Sequence, residues 1–579
     1  MFRAQLTALL AASVVCVSTL PLQAQTQKTL SDEILPRDTY LYLSFPNVAE
    51  MKRQVSASSL GQLWNDPALD DFKAEVNNAI ETDLDDGLAK FQEQMGMTLD
   101  EFLRIPSGEV SFAFSAGPGN SMGAVLFLDF GESETQVLDI LDRGVQLLSY
   151  NPRLSREDET FDGTDITLFK IQHKGPSPTP LAEEFGWFIK DQTLVASNQS
   201  ELLQAVITNW GGDEESFLDN ESYAYVLGKC RQADQTTLST FFVDPVNMFT
   251  KLVETQSLGM EATLGAGMVL GALPTLGVTQ LKAMGGVTQA GADEFEVVSR
   301  SVFFAEQPPA GLMRALQLEQ IDQTPPSWVK EDVHAYGAMK WKVNEALESF
   351  GSIVDMFSGA GAFADRLDRI ADEPPGIHIK HDIVDQLTGE VRLVTAASGN
   401  STGADQMLIS MGVQDDDAAS DVVARVSDEL GLTTRDFRGA TIYEQEGPNG
   451  QSVSATVDRG RLLICIGGSL LENVLRNDDD IRPLSESADF QKVSQHFPSS
   501  ALSVQFSRPA EQYRAIYESL RSGTAAEQFP GSQDLVEKID FTTLPPFDVV
   551  AGYIRPTGAF SVQDDDGLMM QGFQLQKAN

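Results

Sequence analysis

Basic side chains are scarce in this chain: 41 Lys and Arg stand against 84 Asp and Glu, a formal charge of -43 over 579 residues. Such a surface repels nucleic-acid phosphates and anionic lipid headgroups, which argues against both as partners. Histidine is scarcer, with five residues, so His-centred catalysis is poorly supplied. Cysteine occurs three times, and Cys16 lies in a segment read below as removed. Cys230 and Cys465 form no disulfide framework pattern. Cys465 sits in the apolar run Leu462-Leu463-Ile464-Cys465-Ile466 and reads as a small core residue; whether it pairs with Cys230 is left open.

An uninterrupted apolar stretch of membrane-spanning length is also missing. Residues 6–20 are uncharged behind Arg3, but Ser13, Ser18 and Thr19 interrupt them and Pro21 ends them, too short to span a bilayer comfortably. Leu22-Gln23-Ala24 supplies a small residue before Gln25, so residues 1–24 read as an export signal. Bulky Val15 argues against lipid attachment at Cys16. The expectation is an exported protein, periplasmic or extracellular, with no integral membrane span after cleavage. Residues 262–281 carry no charge, yet Gly265, Gly267, Gly271, Gly277 and Pro274 weaken a spanning helix. They are expected to form a buried or flexible lid over the first sheet, within a Gly-rich insert at 258–287; a membrane-touching loop is the alternative.

What the chain does contain is an internal repetition, offset by roughly 280 residues. Asp38-Thr39-Tyr40-Leu41-Tyr42 is answered by Asp332-Val333-His334-Ala335-Tyr336. Gly108-Glu109-Val110 and Gly389-Glu390-Val391 each start a strand, followed by a second strand and an amphipathic helix. Next come hairpins turning at Lys190-Asp191-Gln192 and Asp458-Arg459-Gly460, where Gly460 suits the positive φ of a short turn. Asp66 and Pro67 make a helix start, and Leu69, Phe72, Val76, Ile80, Leu84, Leu88, Phe91 and Met95 continue it as one apolar stripe. Repeated hairpins interleaved with helices predict an α+β fold: two tandem copies of a largely antiparallel sheet flanked by helices. The parse is a first repeat at 25–306, a linker at 307–328 and a second repeat at 329–579.

The repetition also screens the motifs. Gly119-Asn120-Ser121-Met122-Gly123 matches a hydrolase nucleophile elbow, which requires a strand-to-helix turn. Here strands lie on both sides, and Gly399-Asn400-Ser401-Thr402-Gly403 repeats the pattern, so both read as hairpin loops. His378 and His381 have H-x-x-H spacing, but Pro374-Pro375-Gly376 before them predicts a loop or short strand with the rings on opposite faces. His173, His334 and His496 are isolated. Gly265-Ala266-Gly267 and Gly359-Ala360-Gly361 lack the strand–helix context of a dinucleotide loop. Asp415-Asp416-Asp417 and Asp478-Asp479-Asp480 lack calcium-loop spacing and read as solvated faces. No catalytic, cofactor-binding or metal residue is assigned, and no cofactor is expected.

Leu35-Pro36-Arg37-Asp38-Thr39, Phe45-Pro46-Asn47 and Pro326-Ser327-Trp328-Val329-Lys330-Glu331-Asp332-Val333 resemble phrases that open the two halves of an uncharacterised family of exported bacterial proteins, a domain of unknown function. The resemblance implies export and a duplicated α+β unit, and transfers no site residue. The leading expectation is a non-catalytic binding or envelope-associated protein for an unknown protein, polysaccharide or lipid ligand. The alternatives are a periplasmic carrier of an apolar ligand and a carboxylate-based hydrolase acting between the repeats.

Overall fold

The structure, a computed structural model, describes residues 29–83, 92, 96–118, 122–172, 183–212, 214–255, 260–397, 406–446, 452–476, 480–525 and 538–576. The export signal at 1–24, His173, Ser121, the Gly399–Gly403 loop, Asp478 and Asp479 lie outside the described residues, as does the predicted stripe beyond Asp83 except for residue 92. The fold is α+β, with largely antiparallel sheet flanked by helices. Two compact units divide the chain: residues up to Gly271 with Lys282–Phe304, and Ala272–Leu281 with the residues from Ala305 onward.

In the first unit the strands are β1 (Thr39–Phe45), β2 (Val110–Ala116), β3 (Met122–Asp129), β4 (Leu154–Phe161), β5 (Thr164–Ile171), β6 (Glu184–Lys190), β7 (Thr193–Ser197), β8 (Thr237–Val243), β9 (Leu281–Ala290) and β10 (Phe295–Ala305). Their order across the sheet is β4-β5-β6-β7-β3-β2-β1-β8-β9-β10. Period-two alternation sets the faces: Tyr42 and Ser44 are buried while Leu43 between them is exposed. The β6–β7 turn uses Asp191 and Gln192, both at positive φ, as a two-residue hairpin demands. Asn220 caps the helix Glu221–Cys230 by accepting from the amides of Ser222 and Tyr223. That helix buries Tyr223, Val226 and Cys230. Tyr223 stacks on Phe217 at 3.9 Å, and both rings meet Phe242 edge-on. Each such aromatic side chain contributes about 1.5–3 kcal/mol when fully buried.

The second unit holds β11 (Leu318–Glu319), β12 (Ala335–Trp341), β13 (Leu387–Ala396), β14 (Gln406–Val413), β15 (Thr433–Phe437), β16 (Ala440–Glu446), β17 (Ser452–Val457), β18 (Arg461–Ile466), β19 (Ser503–Ser507), β20 (Thr557–Asp564) and β21 (Gly567–Leu575). Apart from β11, which pairs with the end of β12, the order is β15-β16-β17-β18-β14-β13-β12-β19-β20-β21. Strand for strand, this is the order of the first unit. The registers agree as well: Tyr42 pairs with Ala113 and Phe242, and Tyr336 with Val394 and Phe506. Phe490 takes the place of Tyr223 against Phe506.

Residues 262–281 depart from expectation. They begin inside a helix, Met260–Ala272, with Met268 78 % and Val269 48 % exposed. Uniformly apolar composition predicts burial, but among the described side chains from Gly265 to Gln280 only Gly277 is buried. The segment is therefore an exposed to half-buried helix and turn, and of the two expected states, buried or flexible, the buried one fails.

Candidate functional site

The second unit contains a cleft of about 480 Å³, lined by Pro326, Ser327, Trp328, Thr388, Glu390, Arg392, Gly412, Arg459, Gly460 and Arg461. Its size is that of a small-molecule site. Sheet register places the arginines. Arg392 on β13 lies opposite Ser410 on β14, and Gly412, two residues further along, lies opposite Arg461 on β18. Residues 410 and 412 share a face, so Arg392 and Arg461 flank β14 on one side of the sheet with bare glycine backbone between them. A Cβ on Gly412 would come within 2.1 Å of Thr388 Oγ1. Arg459 enters from the β17–β18 turn, where it and Gly460 adopt positive φ. Asp416 fixes that turn by accepting from the Gly460 amide at 2.8 Å.

The cleft collects charge in a chain that has little of this sign. The Arg392 and Arg461 side chains are only 16 % and 12 % exposed. Arg392 Nη1 donates to Glu390 Oε2 at 2.7 Å, and its guanidinium, with Nε fully buried, lies beside the buried Tyr336 hydroxyl. Arg461 lies over the Trp328 ring, 5.0 Å from its centroid, a cation–π contact. Its Nη2 approaches Asp458 Oδ2 at 3.4 Å, and its buried Nη1 has no protein acceptor. Burial holds the Arg461 guanidinium below its ordinary value; Asp458 opposes this, and the like charges of Arg459 and Arg392 add to it. Buried donors left unpaired are costly, and guanidinium groups gathered together repel one another. Glu390 and Asp458 offset part of that repulsion.

The equivalent place in the first unit is built differently. Register matches Glu390 with Glu109 and Arg392 with Ser111. The rows Phe112–Leu126–Ala196 and Leu393–Ile409–Ile464 match Arg461 with Thr193, Arg459 with Asp191 and Gly412 with Asp129. The amides of Phe217 and Leu484 donate to the carbonyls of Leu35 and Val329, which matches Ile34 with Trp328. No arginine stands at the matching first-unit positions. Glu109 is instead buried, accepting from Ser31 N (2.7 Å), Ser31 Oγ (2.6 Å), Ser44 Oγ (2.7 Å) and Tyr42 OH (3.1 Å). Beside it Asp32 accepts from Tyr223 OH at 2.9 Å. Burial raises both carboxyls above their ordinary values despite these hydrogen bonds.

His378 and His381 correct the reading of their segment. Ile379–Ile383 forms a π-turn, which brings the two rings into a stack with centroids 4.3 Å apart. Period-two geometry does not apply in such a turn. His378 Nε2 faces Asp368 at 3.3 Å and His381 Nδ1 faces Asp385 at 3.0 Å. Among the described residues no group of three or more His, Cys, Asp or Glu side chains converges to hold a metal ion. Asp415, Asp416 and Asp417 are exposed, as a solvated face requires; Asp415 also caps the helix Asp416–Leu430 and Asp416 accepts from the Gly460 amide. Cys230 and Cys465 are both buried and neither is in a disulfide.

No protein family, curated protein or solved structure matches this chain. The cleft therefore has to be read from its own chemistry. Sequence reasoning missed its arginines because they lie far apart in the chain and form no motif. The usable signal was the contrast between matching positions, Arg392 against Ser111 and Arg461 against Thr193, in a chain with few cations.

Proposed function

We propose that this is an exported, non-catalytic binding protein built from two copies of one α+β unit, and that its ligand site is the arginine-lined cleft of the second unit. The shared strand order and registers support the duplication. The observation that carries the functional reading is the arginine set itself. The same fold position in the first unit is filled without any of the three, so the architecture does not require them. Three guanidiniums lining one cleft, in a chain poor in cations, favour a ligand rich in acceptor oxygens. The resemblance to exported bacterial proteins supports location outside the cytoplasm. Protein isolated from its host, then denatured, should release a small acidic molecule detectable by mass spectrometry; Arg461→Gln should release far less. Equal release from both proteins, or turnover of the molecule by the wild type alone, would sink the reading.

A carrier of an apolar ligand is the second reading, favoured by one feature of the first unit. Phe241, Leu43, Phe112 and Leu126 lie directly opposite one another across β8, β1, β2 and β3, each 40–44 % exposed. The matching second-unit row is Gln505, Gly337, Leu393 and Ile409. Lipid in the same eluate, lost on Phe112→Asp, would support this reading.

A further inference from the structure

The first unit's apolar row runs further than its four exposed members, and this inference rests on the apolar-carrier reading above. Register carries the line from Leu126 to Ala196 on β7 and Trp187 on β6. Phe241, Leu43, Phe112, Leu126, Ala196 and Trp187 thus cross six strands in one line, about 24 Å long at the usual strand spacing. On either side the next residues are apolar but half-buried: Leu41 and Phe114 along one flank, Val110 and Leu128 along the other. Leu128 packs against the cluster of Ile105, Phe130 and Val137, which walls that flank. The exposed strip is a furrow one side chain wide.

The furrow belongs to this unit and is not demanded by the fold. The matching line in the second unit is Gln505, Gly337, Leu393, Ile409, Ile464 and Ala455, without an aromatic ring.

Backbone, width and charge select the occupant. Each of the six strands is hydrogen-bonded to a neighbour on both sides, so the face has no free backbone to pair with an added peptide strand. A helix, about 10–12 Å across with its side chains, would rest on the flanks of so narrow a furrow. A second copy would bring one charge of -43 against another. An aliphatic chain is slender and needs no hydrogen-bond partner. The same unit also exposes an apolar surface suited to meeting lipid: the helix Met260–Ala272, uncharged from Ala262 onward, has Met268 78 % and Val269 48 % exposed. Such a surface enters a neutral bilayer without desolvating any charge.

We propose that the furrow is an acyl-chain site, holding the extended tail of one membrane lipid across the strands between Phe241 and Trp187, with the head group left in water.

The test titrates the full chain with a monoacylglycerol carrying a brominated tail, below its micelle concentration, and reads tryptophan emission. Bromine quenches on contact, and Trp187 ends the furrow. Saturable quenching at one tail per chain is expected, most of it lost in Trp187→Phe. Phe112→Asp should weaken binding roughly tenfold or more, and Leu126→Ser, which adds no charge, by a smaller factor. Both side chains are exposed, and unchanged melting temperatures check that the variants fold. Leu393→Asp, the matching change in the second unit, should leave binding as in the wild type. Wild-type affinity in Phe112→Asp, undiminished quenching in Trp187→Phe, or equal weakening by Leu393→Asp would overturn the site. A dimer seen by sedimentation and abolished by Phe112→Asp would overturn it in favour of a second copy. Absence of quenching, while the native eluate still holds an apolar molecule that Phe112→Asp loses, would overturn the acyl chain and leave the carrier reading standing. Absence of both would overturn both.

Discussion

Glu109 and Glu390 occupy matching strand positions in the two units and have opposite fates. Glu390 meets an arginine at the mouth of a cleft, whereas Glu109 is sealed under hydroxyl groups. Burial raises Glu109 and its neighbour Asp32 above the ordinary carboxyl range. Folded molecules therefore hold protons that unfolded chains release. Their contribution to stability is fully present below the unfolded carboxyl values and is lost as pH rises through the raised folded values. The first unit should gain stability as pH falls from 7 toward 5, seen as larger amide protection factors in β1 and β2 after correction for the intrinsic exchange rate at each pH. Glu109→Gln keeps the contacts, because its neighbouring hydroxyls can turn to accept, and should flatten that slope. An unchanged slope would remove Glu109 as its cause. At Arg461 the expected loss is structural as well as functional. Arg461→Ala should cost about 1 kcal/mol through the Trp328 contact and shift tryptophan emission to the red, measured by denaturant titration with fluorescence.

Elements were more legible in the sequence than their ends or their exposure. Alternating residues located the strands around Gly108-Glu109-Val110 and Gly389-Glu390-Val391, and the turn residues located both hairpins, because these signals are local. The π-turn at Ile379–Ile383 was not legible: Pro374-Pro375-Gly376 announces a break, and nothing local announces a helical turn four residues later. The helix Met260–Ala272 was misjudged because composition reports what could be buried, while exposure depends on what packs beside it. The cleft was hidden for a third reason. Sheet register brings Arg392 and Arg461 to one face, and register is a long-range property. Asp415 shows how a plain acidic run can hold structural work: its side chain caps the helix Asp416–Leu430 by accepting from Asp417 and Ala418. Asp415→Ala should cost about 1 kcal/mol in chemical denaturation; a change within error would mean that the neighbouring turn carries the helix start.

At the scale of the whole molecule, a charge of -43 sets a self-repulsion that individual ion pairs do not remove. Most of the pairs are partly solvated, such as Arg37–Glu215 and Arg514–Asp548, and exposed pairs contribute little. Added salt screens the repulsion while scarcely weakening the buried core. The melting temperature should therefore rise by several degrees between low salt and about 0.5 M sodium chloride, measured by calorimetry. A fall would show that attractive pairs outweigh the excess of like charge.

The sealed sulfur atoms have a practical corollary. Cys230 belongs to one unit and Cys465 to the other, both shielded from water. Timed alkylation followed by peptide mass spectrometry should therefore report the opening of each half separately, without any engineered label, and would reveal whether the halves come apart together or in turn.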